Sequence, residues 1–172
     1  LRELVARPSI NPTFLHDRPD LTGEERVAEF LKDMASSAGI EVRRQSVLPG
    51  RKNLIARISP IGKAKHRIML TPHLDVVPAP EKDFTPRIRN GKMYGRGTCD
   101  TKGSVAAFFT AFLELAQKGG RPRETEILFV GLVDEEFGQA GSRMLARKGH
   151  KGDLAIAGEP TGLQVVTAHK GN

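Results

Sequence analysis

Arg67-Ile68-Met69-Leu70-Thr71-Pro72-His73-Leu74-Asp75-Val76-Val77-Pro78 joins an apolar run to a histidine and an aspartate two residues apart. The run has the length and composition of a buried strand, and the polar pair falls just beyond its end. The same order returns in Ile127-Leu128-Phe129-Val130-Gly131-Leu132-Val133 before Asp134-Glu135-Glu136, and in Leu154-Ala155-Ile156-Ala157 before Gly158-Glu159-Pro160-Thr161. Between these runs lie helical patterns. One spans 102–117, with Val105, Phe108, Phe109, Phe112 and Leu115 on one side and Gly119-Gly120 as its stop; another lies near 142–148. Strands alternating with helices predict an α/β fold with a mostly parallel sheet flanked by helices. In such sheets ligands bind beyond the carboxyl ends of the strands, which is where His73, Glu135, Glu136 and Glu159 all fall.

Toward the N-terminus, Thr22-Gly23-Glu24-Glu25 reads as a capping box with Thr22 at the cap. It opens a helix with Val27, Phe30, Leu31 and Met34 on its apolar face, ended by Gly39. Strands are expected at 41–45, 53–58, 67–71, 126–133 and 153–157, and an irregular hairpin at 83–96 around Asn90-Gly91. No repeat or linker divides the chain, so it reads as one domain or most of one.

The 172 residues are 38% hydrophobic and 27% charged, an ordinary globular balance that excludes disordered and collagen-like classes. No apolar run approaches the roughly 18 residues of a membrane span, and the first residues do not form a signal peptide. We expect no membrane association and a cytoplasmic location; a single cysteine fits a reducing compartment. Leu1 opens inside a helix-like segment, so the start is read as trimmed. The net charge of +7 comes from scattered bases, among them Arg44, Arg51 and Arg123, with no Trp and one Tyr to form a stacking platform. Those bases read as a solvated face, and no nucleic-acid partner is expected.

His73 and Asp75 lie on the same side of an extended backbone, so Asp75 can accept one imidazole proton and leave the other nitrogen for a metal. Asp100, within Gly95-Arg96-Gly97-Thr98-Cys99-Asp100-Thr101-Lys102-Gly103-Ser104, sits where glycines permit close approach, and its two oxygens could bridge two cations. The segment fits neither phosphate-loop spacing. A helix cap would explain Asp100 alone. Cys99 is expected to be a small buried residue rather than a ligand or nucleophile. Asp134-Glu135-Glu136 would be a solvated acidic turn in isolation; beside His73, Asp100 and Glu159 it suits a metal ligand and a proton acceptor side by side. Pro160 holds Glu159 extended. His16, His66, His150 and His169 read as surface residues.

These four ordered motifs, spread over nearly the whole chain, resemble the two-zinc amidohydrolases and metallopeptidases that include acetylornithine deacetylase, succinyl-diaminopimelate desuccinylase, aminoacylase and glutamate carboxypeptidase. The resemblance implies that His73, Glu159 and a bridging Asp100 hold one zinc, and Asp100 and Glu136 the other, with cobalt or manganese as possible substitutes. It makes Glu135 the general base and Asp75 the orienter of His73, and it implies a cis peptide after Asp100. Residues 158–171 most resemble acetylornithine deacetylases, pointing to a small N-acyl amino acid substrate. A dipeptidase or carboxypeptidase with the same site, or a non-catalytic metal-binding module, are the rivals. Pro72 departs from the glycine common before the metal histidine. The family's lid-like dimerisation domain and its last histidine ligand have no counterpart here, so residues 1–172 read as the N-terminal part of a catalytic domain from a protein expected to be a homodimer.

Overall fold

The computed structural model describes residues 1–117 and 120–168. Its five-stranded sheet has the order β1-β2-β6-β3-β7, with β1 at Glu41–Leu48, β2 at Arg51–Ile58, β3 at His66–Leu70, β6 at Thr125–Gly131 and β7 at Leu154–Ile156. β3 runs parallel to both β6 and β7, and β2 runs antiparallel to β6 and β1. Four strands therefore point one way, with β2 the exception, and the α/β fold with a mostly parallel sheet is as the sequence implies. A separate hairpin joins β4 (Arg87–Arg89) to β5 (Lys92–Tyr94). Its turn is Asn90-Gly91, both residues at positive φ (50° and 70°), the conformation a two-residue hairpin turn requires.

Helices α2 (Glu25–Ser37) and α3 (Lys102–Gln117) cover one face of the sheet; α4 (Ala140–Arg147) covers part of the other, and α1 (Arg2–Val5) is a short N-terminal turn. The period-2 alternation of the central strands divides the core accordingly. Leu54, Ala56, Ile58, Ile127 and Phe129 pack with Val27, Leu31, Val105, Phe109 and Phe112, while Ile55, Leu128, Val130 and Met69 pack with Leu145. Phe129 meets the ring of Phe109 at 5.0 Å and that of Phe112 at 6.1 Å, locking α3 over the strand that leads to the acidic loop. No helix among the described residues is long and apolar enough to cross a membrane.

Several local expectations are corrected. Gly23, at φ 85°, turns the chain between Thr22 and the helix, so α2 begins at Glu25 with no side-chain cap. Glu25 pairs with Arg44 at 2.5 Å instead of reaching back, and Glu24 is turned into the interior, 2% exposed. Met34 and Leu115 lie exposed at the edges of their stripes; Ala28 and Ala35 are buried in α2, and Lys102 extends the buried stripe of α3. Cys99 is exposed, because its loop directs the neighbouring Gly97 and Thr101 inward. The Gly119 stop lies outside the described residues, as does His169.

Candidate metal centre

The strand order explains why the motifs meet. β3, β6 and β7 are parallel neighbours, so the segments after them leave from one rim. Pairing continues beyond the strands: the Leu74 amide donates to the Leu132 carbonyl (2.8 Å) and the Leu132 amide to the Pro72 carbonyl (2.9 Å). Pro72 lacks an N–H, but this ladder asks only for its oxygen. His73 is thereby set beside the acidic loop after β6. The Asp100 loop leads into α3, and just before the helix Thr101 Oγ1 donates to the Gly158 carbonyl, tying the loop to the segment after β7. A Cβ on Gly158 would lie 2.5 Å from Ser104 Cβ, so only glycine lets these segments touch. The Asp100–Thr101 peptide is cis.

His73 is 1% exposed. Its Nε2 lies 2.9 Å from Asp100 Oδ1, 3.8 Å from Glu135 Oε2 and 3.9 Å from Glu159 Oε2. Ligand atoms of His73, Asp100 and Glu136 all lie within 4.8 Å of one another. The structure thus gathers His73, Asp100, Glu135, Glu136 and Glu159 at one place. Asp75 adjoins them by a different route from the one its spacing suggests. The Asp75 main-chain carbonyl accepts from His73 Nδ1 at 3.0 Å, while its Oδ1 is 3.7 Å from that nitrogen. The carboxylate is drawn elsewhere, accepting from the Glu135 amide (3.0 Å), the Glu136 amide (3.1 Å) and Asn11 Nδ2 (2.7 Å).

The electrostatics record a surplus of negative charge. Burial, reinforced by Asp100, pushes the Glu136 carboxyl up to about 7. Burial likewise raises Glu135 and Glu159, with His73 opposing. Burial of His73 disfavours its charged form, but the Asp100 hydrogen bond and the charges of Asp75, Glu159 and Glu135 outweigh that and raise it to about 9. The His73 hydrogen bond holds Asp100 below the usual carboxylate range. These residues fit a divalent cation. A carbonyl can only accept, so Nδ1 carries the proton and the Nε2 lone pair of neutral His73 faces the carboxylates. One imidazole with several carboxylate oxygens is a donor set that zinc, cobalt or manganese takes.

The profile of Peptidase family M20/M25/M40 matches residues 69–169. The chain belongs to this family. It is 35% identical over 157 residues to a probable succinyl-diaminopimelate desuccinylase of Staphylococcus epidermidis, covering 87% of the chain and 38% of that protein. A Staphylococcus aureus counterpart is 34% identical over 154 residues, covering 85% and 38%. The chain therefore spans under half the length of these relatives. In solved structures the fold recurs in an M20 family metallo-carboxypeptidase from Sulfolobus solfataricus, with TM-score 0.70 and 22% identity over 91% of this chain and 36% of that one. It recurs also in a dinuclear metal-binding M20 peptidase from Bacillus subtilis, with TM-score 0.59 and 17% identity over 86% and 37%.

Sequence reasoning missed the residues that back the rim. Arg51, counted among solvated bases, lies between two buried carboxylates: it grips both oxygens of Glu24 (3.1 and 2.5 Å) and donates to Asp134 Oδ1 (2.9 Å). Asn11, fully buried, donates to Asp75 and, at 3.1 Å, to Asp134. Lys102, also fully buried, donates to the carbonyls of Leu4 (2.9 Å) and Arg7 (2.7 Å). Burial, together with Arg26 and Arg7, pulls its ammonium down to about 7. Its signal was present, since Lys102 shares the spacing of Val105, Phe109 and Phe112. His16 and His66 are exposed as expected, and His150 is half-buried.

Proposed function

We propose that this chain is the N-terminal part of the catalytic domain of a zinc-dependent amidohydrolase that cleaves the amide bond of a small N-acyl amino acid. The observation that carries this reading is the convergence of His73, Asp100 and Glu136 within 4.8 Å, with the Glu135 carboxylate 3.8 Å from the imidazole. His73, Asp100 and Glu159 would hold one cation, and Asp100 and Glu136 a second. When bound, such cations act as Lewis acids that bring the pKa of water toward neutrality and polarise a carbonyl.

Glu135 performs the proton transfers. It accepts a proton from the attacking water as the new bond forms at the carbonyl carbon, then gives that proton to the nitrogen as the C–N bond breaks, releasing a carboxylate and an amine. Burial raises its affinity for protons, which suits a group that must accept one and return it. Asp75 contributes by holding the Glu135 and Glu136 amides and, through its carbonyl, the tautomer of His73.

The acetyl form of the substrate is supported by the resemblance of residues 158–171 to acetylornithine deacetylases, and the succinyl form by the probable succinyl-diaminopimelate desuccinylases that are 34–35% identical to the chain. The remaining ligand and lid of the family, and a cytoplasmic homodimer, belong to the same proposal for the full-length protein. The test is a panel of N-acetyl and N-succinyl amino acids, dipeptides and tripeptides given to the zinc-loaded full-length protein, with kcat/KM measured for each. Acyl amino acids should lead by at least ~10-fold, or about 1.4 kcal/mol of transition-state binding. Preference for peptides would replace this reading with a peptidase; bound metal without hydrolysis of any of them would replace it with a metal-binding module.

A further inference from the structure

The buried network behind the rim is placed to shape the rim. Asp134 has φ 65°, a left-handed conformation uncommon for a residue with a Cβ, and several groups hold it there. Its amide donates to Glu24 Oε1 (3.2 Å). Its Oδ1 accepts from Arg51 and Asn11, and its Oδ2 from the Ala140 amide (3.3 Å). The turn at Asp134 sends the next two amides back toward Asp75, and Asn11 bridges Asp75 to Asp134. With the main chain held on the Asp75 side, Glu135 extends to within 3.8 Å of His73.

We propose that Arg51 and Asn11 are positioning residues for the Glu135–Glu136 pair, acting through Asp134 and Asp75. The role assigned rests on the reading of Glu135 as base and Glu136 as ligand. Arg51 supplies the countercharge that keeps Glu24 and Asp134 buried together, and thereby the left-handed turn. Asn11 supplies the donor that lets two buried carboxylates, Asp75 and Asp134, lie on either side of one amide group. Their side chains donate to Glu24, Asp134 and Asp75 rather than to the proposed metal ligands. Each instead restricts where two consecutive carboxylates can point, which sequence spacing alone leaves free.

The experiment compares Arg51→Met, Asn11→Leu and the conservative Arg51→Lys in the full-length protein. Hydrogen exchange at the Glu135 and Glu136 amides is measured first without metal, with β6 amides as the internal reference for the fold. Steady-state kinetics on the zinc-saturated protein follow. In Arg51→Met and Asn11→Leu the two loop amides should exchange at least ~10-fold faster while β6 stays protected. The kcat should fall ~10–100-fold, the range typical for losing a partner behind a metal ligand, with KM changed far less. Arg51→Lys should recover part of both. Unchanged exchange at Glu135 and Glu136 with β6 intact would overturn the proposal, and so would equal loss of protection in β6, which would make the network a general support of the fold. The metal-free arm does not depend on hydrolysis: if Glu135→Gln kept its rate, the base assignment would fail while exchange still decided the positioning role.

Discussion

Glu24 is a buried carboxylate and Glu136 a half-buried one, and each is raised by burial. Glu24 is gripped on both oxygens by Arg51, so its charge is answered within the protein. Glu136 faces Asp100, Glu135 and Asp75, with His73 as the opposing influence. The network containing Glu24, Asp134, Asn11 and Asp75 is organised by internal donors. The rim a few residues away sets Asp100, Glu135, Glu136 and Glu159 around one imidazole. Carboxylates whose oxygens are met by Arg51, Asn11 and main-chain amides hold structure together, whereas carboxylates that face mostly one another are poised for a cation from outside.

The largest effects should come from the rim, in the metal-loaded full-length protein. Glu135→Gln keeps the shape of the side chain but cannot take a proton, so kcat should fall ~10²–10⁴-fold with metal content unchanged by elemental analysis. A near-normal rate would remove the base from Glu135. His73→Ala should act differently, emptying the site: metal affinity should drop by more than the ~10–100-fold typical of losing only an outer partner. Retained stoichiometry after dialysis against a weak chelator would show that the cluster centres elsewhere.

The sequence made the rim readable and the network invisible, for a physical reason. Each rim residue follows an apolar run or opens a helix, so His73, Asp100, Glu135, Glu136 and Glu159 advertise themselves locally, and α3 occupies the expected bounds of 102–117. The network depends on partners far apart in the chain. Asn11 meets Asp75 across 64 positions, and Arg51 meets Asp134 across 83. Local spacing even misled, since Thr22 and Glu25 have capping-box separation while Gly23 turns them apart. Asp75 shows both sides: its closeness to His73 was legible, but the three donors that claim its carboxylate were not.

Stability should reverse the ranking of the two regions. Without metal, Arg51→Met removes one partner from a buried ion pair and should cost about 3 kcal/mol, the lower end of the range for such losses because Arg51 keeps some exposure. Glu136→Gln removes a like charge from the rim and should be neutral or slightly stabilising. Urea denaturation in chelator measures both. A Glu136→Gln variant as damaged as Arg51→Met would erase the distinction drawn between the regions.

The smallest effect, and the sharpest on sign, is the response of the metal-free rim to pH. Glu136 is raised from an ordinary 4.5 to about 7, so the stability lent by its protonated form is complete below 4.5 and is lost as pH climbs through 7. Glu135 and Glu159 are raised in the same direction. His73 is raised from 6.5 to about 9, so its contribution is complete below 6.5 and disappears as pH passes through 9. Asp100, being lowered, opposes this only in acid, where its contribution is lost as pH falls below its ordinary 3.8. Between pH 5 and 7 the urea midpoint in chelator should therefore decline; above 7 the buried Lys102, lowered to about 7, adds stability as pH rises and offsets the loss from His73. Added zinc should turn that slope upward, because the cation takes the place of the His73 proton and binds the carboxylates in their ionised form. A midpoint that rose between pH 5 and 7 in chelator would mean that internal donors satisfy the rim carboxylates, as Arg51 and Asn11 do in the network behind them, and that the rim has no unanswered carboxylate to offer a metal.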